Sequence, residues 1–243
     1  MVRGFSVFIG EEDDKTMDER HDSEYRLLFS QRRMVHDLLR GFLHEEWIGW
    51  LDPCTLERRP IPAVEATLEP LAGTLLWRLR WHGGSAAVYL LLRPLAADDR
   101  FAALRLWADR GLIYQHLLHR RAAHSRRPLP LVLPVVLYSG GSPWSAPRDA
   151  FELFQPIPGP LQRHLPRLPY FVFDAAHDAL PPAAGEDNLV ALLCRLERHR
   201  SAPEPLLNRL GGLLDAAGDA ALRRAWSGFL ARRFPDFAGV VPC

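Results

Sequence analysis

The chain has 243 residues, 48% hydrophobic and 24% charged, which excludes a wholly disordered, collagen-like or membrane-embedded protein and is long enough to bury one large core. With 30 basic against 29 acidic residues the formal charge is +1, so a nucleic-acid partner requires a local basic patch rather than a global one. Lys15 is the sole lysine, which excludes a Walker A loop and lysine Schiff-base chemistry from the folded body, while the wealth of arginine discounts any single arginine cluster.

Residues 1–20 read as a disordered leader. The Phe5–Ile9 run is too short for a signal-peptide core, and residues 11–24 carry eight acids with no apolar period. Asp22 or Ser23 then caps a helix with apolar residues at Tyr25, Leu28, Phe29, Val35, Leu38, Leu39, Phe42 and Leu43, broken near Ser30, extended by Trp47 and ended by Leu51-Asp52-Pro53. Three strands are predicted at Val64–Leu68, Thr74–Trp81 and Ala86–Leu92. The glycines of His82-Gly83-Gly84-Ser85 suit a tight hairpin between the last two. Asp98 or Asp99 opens a helix to about Arg121. Leu131–Tyr138 is apolar almost throughout, as a strand buried on both faces should be, and Tyr170–Phe173 is a further short strand. Leucine stripes after residue 181 predict three short helices. The expectation is an α/β core over residues 21–180 with a helical subdomain over 181–243.

Cys54, Cys194 and Cys243 are odd in number and far apart, which suits a reducing compartment, and no apolar run is long enough to span a bilayer; a cytoplasmic protein without membrane contact is expected.

Several strings occur in a telling order: HDSEYRLLFS at 21–30, LLWRLRW at 75–81, YLLL with the helix start DDRFAALRL within 89–106, PVVLYSGGSPW at 134–144, and NLVALLCRLE at 188–197. Together they resemble the recombination-promoting nuclease family, also known as YhgA-like transposases, of the PD-(D/E)XK superfamily. The resemblance implies a restriction-endonuclease-like mixed sheet and Mg²⁺-dependent DNA cleavage. It implies an acid on the second core strand and an acid-x-lysine or acid-x-glutamine pair on the third. These ligands are carboxylates because hard Mg²⁺ selects oxygen, and the cation activates water and neutralises the scissile phosphate.

Aligned on the quoted strings, those positions fall on Thr74, Arg93 and Leu95. A neutral hydroxyl, a fixed cation and an alkyl side chain make a poor Mg²⁺ site, since the arginine repels the metal and cannot deprotonate. The asparagine of the family's turn is also replaced, by Ser139. No catalytic residue is therefore intact and no cofactor is expected, although Glu69 and Asp98 are candidates for migrated carboxylates.

Other constellations are weaker. His21-Asp22 reads as a helix cap, and His116, His119 and His124 lack a converging acid or cysteine for zinc. The 139–142 turn is no nucleophile elbow and no GxGxxG opens a helix. Arg120, Arg121, Arg126 and Arg127 form a basic cluster near a helix carboxyl end and, with Arg93, are candidate nucleic-acid contacts. Three functions stay open: a cleavage-deficient DNA-binding or regulatory protein, an interaction module that pairs with itself or an active homologue, and an active enzyme with migrated carboxylates.

Overall fold

The computed structural model describes residues 22–43, 46–61, 71, 73–84, 86–120, 128–181, 185–199 and 204–235. The expected leader, the expected strand at 64–68, and Glu69, Arg121, His124, Arg126 and Arg127 lie outside the described residues.

The first helical stretch is two helices. α1 covers residues 22–29, and α2 covers Arg32–Gly41 after a break at Ser30-Gln31. β1 (Leu51–Arg59) follows a single 3₁₀ turn, Glu46–Trp50, and then come β2 (Leu75–Trp81), β3 (Ala87–Leu95), α3 (Ala102–His119), β4 (Leu131–Tyr138), a short α4 (Gly159–Gln162) and β5 (Phe171–Asp174). α5 (Leu189–Glu197), α6 (Glu204–Ala217) and α7 (Ala220–Arg233) complete the described elements. The strands form one sheet in the order β1-β2-β3-β4-β5; β1, β2 and β3 pair antiparallel in sequence, and β3, β4 and β5 run parallel. This α/β arrangement, with three helices at the carboxyl end, is consistent with a restriction-endonuclease-like core.

Alternation along β3 explains its unbroken apolar run. Val88, Leu90 and Leu92 enter one hydrophobic cluster with α1, α2 and α5–α7, while Tyr89 and Leu91 enter a second with α3. The β2–β3 turn carries Gly83 at φ +67°, a conformation that glycine adopts without a Cβ penalty. Gly140 is needed for clearance instead: a Cβ there would lie 2.1 Å from the hydroxyl of Tyr138.

Two expectations are corrected. Leu51-Asp52-Pro53 does not end a helix but begins β1, an edge strand, where a missing N–H is tolerated because one side of the strand has no ladder to complete. Asp98 and Asp99 do not open α3 at their own positions: the helix starts at Ala102, Asp99 accepts a bond from Phe101 N and pairs with Arg105, and Asp98 turns to another loop.

The carboxyl-terminal helices share the first cluster with α1, α2 and the sheet, so element type changes near residue 180 within one continuous core. Polar ties reinforce this. The Tyr25 hydroxyl donates to Glu197 Oε1 at 3.2 Å, and Arg233 donates to Glu197 Oε2 at 3.0 Å, joining α1, α5 and α7. Burial pushes the Tyr25 phenol well above its ordinary range. Buried Asp37 of α2 accepts from Arg33 Nε on both oxygens and from Leu189 N at 2.9 Å, pinning α2 to the start of α5. Asp37→Ala strands these donors and is expected to cost about 3 kcal/mol of unfolding free energy by urea titration, with Asp37→Asn costing less; a loss below about 1 kcal/mol would refute the pin.

Candidate functional site

β2 and β3 are paired with Leu75 opposite Leu92, so one residue further out Thr74 stands opposite Arg93. By alternation, Thr74 shares a face with Leu76, and Arg93 and Leu95 share that same face with Tyr89 and Leu91, toward α3. The three positions singled out from the sequence thus come together at one end of the sheet. Leu95 packs against the second cluster, and Thr74 is buried with its hydroxyl unpartnered among the described residues.

The sequence reading missed the partner of Arg93. Its guanidinium donates to Asp109 Oδ2 at 2.7 Å, and Asp109, on α3, is fully buried. Burial raises the Asp109 carboxyl to about 6, outweighing the opposing pull of Arg93 through charge and hydrogen bond. The other oxygen, Oδ1, has no partner among the described residues. Helical spacing carries the missing signal: Asp109 lies between Leu106 and Ile113 on the stripe that α3 buries, so an acid there needs a cation from the sheet.

Asp98 and Asp174, at the same end of the sheet, hold backbone. Asp98 accepts from Ser145 N, Ser145 Oγ and Ala146 N, and Asp174, at the end of β5, accepts from Trp144 N and from His177 N and Nδ1. They clamp the loop after β4, whose Trp144 ring meets Tyr138 edge to face at 5.0 Å. Ser139 points its Oγ inward without a partner among the described residues, on the parity opposite to Arg93. Arg120 is exposed at the end of α3, and His119 Nδ1 bonds Gln115 O instead of meeting a metal-ligand partner.

Mg²⁺ does not fit the donors at positions 74, 93 and 95. One neutral hydroxyl, a guanidinium and an alkyl group offer no anionic oxygen, and the nearby Asp109 Oδ2 is committed to Arg93. Among the described residues no group of three or more His, Cys, Asp or Glu could hold a metal ion, and no helix is long and apolar enough to cross a membrane.

Residues 19–216 match the family described as "Putative transposase, YhgA-like". Over 134 residues the chain is 25% identical to "Recombination-promoting nuclease RpnD" of Escherichia coli O157:H7, a match covering 54% of this chain and 50% of that protein. The chain thus spans about half the length of this curated relative. No solved structure matches it.

Proposed function

We infer, from the premise that the chain belongs to the YhgA-like transposase family, that it is a PD-(D/E)XK-type protein of a DNA-recombination lineage that has exchanged cleavage for DNA binding. The observation that carries this reading is the buried Arg93–Asp109 ion pair, which stands where the family resemblance asks for a carboxylate on a metal. Metal-assisted hydrolysis needs a cation to activate water and neutralise the developing phosphate charge. A guanidinium already neutralised by Asp109 performs neither task.

The same pair revises the part given to Arg93. Its side chain is only 17% exposed and its charge is offset, so it is a weaker phosphate contact than its sequence position suggested. Binding then falls to other arginines, and its sequence-independent part is electrostatic.

The purified full chain is expected to bind labelled duplexes of unrelated sequence equally well, to do so in EDTA without any need for Mg²⁺, and to lose affinity as salt, Mg²⁺ included, rises. Fluorescence anisotropy measures this. Binding that requires Mg²⁺, or no salt-dependent binding at all, would defeat the reading, and in the second case pairing with itself or an active homologue becomes the alternative.

A further inference from the structure

The end of β1 and the start of β2 frame a cleft of about 510 Å³ whose wall includes Arg26 of α1, Arg58 and Arg59 of β1, Gly73 and Thr74. A neighbouring groove of about 310 Å³ reaches His116 and Arg120 of α3 and shares Arg59, Pro60 and Leu76 with the first. Among the described residues no acid lines either space. Arg59 is partly offset by Glu57 at 2.7 Å, whereas Arg26 and Arg58 have no ion-pair partner among the described residues.

We propose that these adjoining grooves form a phosphate-binding track for a nucleic-acid backbone, with Arg26 and Arg58 supplying charge and the Thr74 hydroxyl a neutral donor. The inference rests on the DNA-binding reading above and places the charged contacts on Arg26 and Arg58 rather than on Arg93. Thr74 lines the cleft, and its buried hydroxyl has no partner among the described residues, a costly arrangement that an acceptor oxygen reaching it relieves. The guanidinium groups of Arg26 and Arg58, which have no ion-pair partner among the described residues, repel one another, and a phosphate lifts that repulsion while matching their paired N–H groups. The substitution that removes the metal's carboxylate at position 74 thus leaves a hydroxyl suited to the phosphate itself. Two grooves joined through Arg59 suit successive phosphates along a strand better than a single free anion.

The test compares the wild-type full chain with the Arg26→Ala/Arg58→Ala double variant, with Thr74→Val, and with Arg105→Ala as a control on an exposed arginine elsewhere. Labelled duplex DNA and inorganic phosphate are the two probes, read by anisotropy and titration calorimetry. The double variant is expected to bind DNA about tenfold or more weakly, with a slope of log affinity against log salt reduced by about 2, roughly one unit for each phosphate that an arginine no longer neutralises. Thr74→Val should weaken binding by about threefold with the slope unchanged, because a neutral donor releases no counterion. Arg105→Ala should match the wild type. If the wild type binds DNA and the double variant behaves like Arg105→Ala, the track is overturned and the DNA-binding reading survives. If the wild type takes up inorganic phosphate through these arginines but binds no DNA, the backbone is overturned as the ligand. Failure with both probes overturns the track together with the DNA-binding reading.

Discussion

Arg93→Leu is expected to lower the unfolding free energy by about 3–5 kcal/mol at neutral pH, enough to unfold a marginal domain, because it leaves Asp109 buried without its cation. The effect depends on pH with a definite sign. The Asp109 carboxyl sits at about 6 in the folded protein against an ordinary 3.8, raised chiefly by burial. Its contribution is therefore fully present below pH 3.8 and is lost as pH rises through about 6, a change of about 3 kcal/mol. Asp109→Asn should remove that fall between pH 4 and 6. In Arg93→Leu the deficit should shrink at acid pH, where Asp109 takes up a proton and no longer needs a counter-charge. The double variant Arg93→Leu/Asp109→Leu should recover to within about 1 kcal/mol of wild type, since neither member of the pair is then left facing the other's vacated place as a buried charge. Urea unfolding at pH 5 and pH 8 measures all three. An Arg93→Leu variant that loses less than about 1 kcal/mol at pH 8 would show that the pair does not hold this end of the sheet.

β4 was legible because a strand covered on both faces is apolar at nearly every position, and its predicted bounds, Leu131–Tyr138, are those observed. The three carboxyl-terminal helices were legible from their leucine stripes. β1 was not: Asp52, Pro53 and the Glu57-Arg58-Arg59 run argue against a strand unless the chain is known to lie at a sheet edge, and edge position is a property of the whole fold. At the site, the convergence of positions 74, 93 and 95 was readable from the Gly83-Gly84 turn, since a hairpin fixes which residues stand opposite. The ion pair was harder to see, because it joins residues 16 apart across two elements and only the buried stripe of α3 betrays it. The groove arginines were harder still. Arg26 and Arg58 sit on separate elements and form no run in the sequence, whereas the arginines of the 120–127 cluster are conspicuous through adjacency along the chain.

Restoring the metal ligands implied by the resemblance is the second large expected effect, and the structure changes how it must be done. Thr74→Asp, Arg93→Glu and Leu95→Gln together would set a new carboxylate beside Asp109, and two acids at that distance in a buried setting repel and resist ionising together. Adding Asp109→Asn removes the conflict. The quadruple variant is expected to gain Mg²⁺-dependent nicking of supercoiled plasmid where the triple variant is unstable or inactive. The gain should be all or none, because nucleophile activation and phosphate neutralisation arrive with the metal together.

The wild type itself gives the most direct measurement: supercoiled plasmid incubated with homogeneous full-length protein, with and without Mg²⁺, and scored for the nicked form. No Mg²⁺-dependent nicking is expected, because Arg93 and Asp109 neutralise each other where the family resemblance implies a metal-binding carboxylate. Robust nicking that needs Mg²⁺ and is abolished by Glu69→Gln or Asp98→Asn would contradict this and show that the carboxylates have migrated.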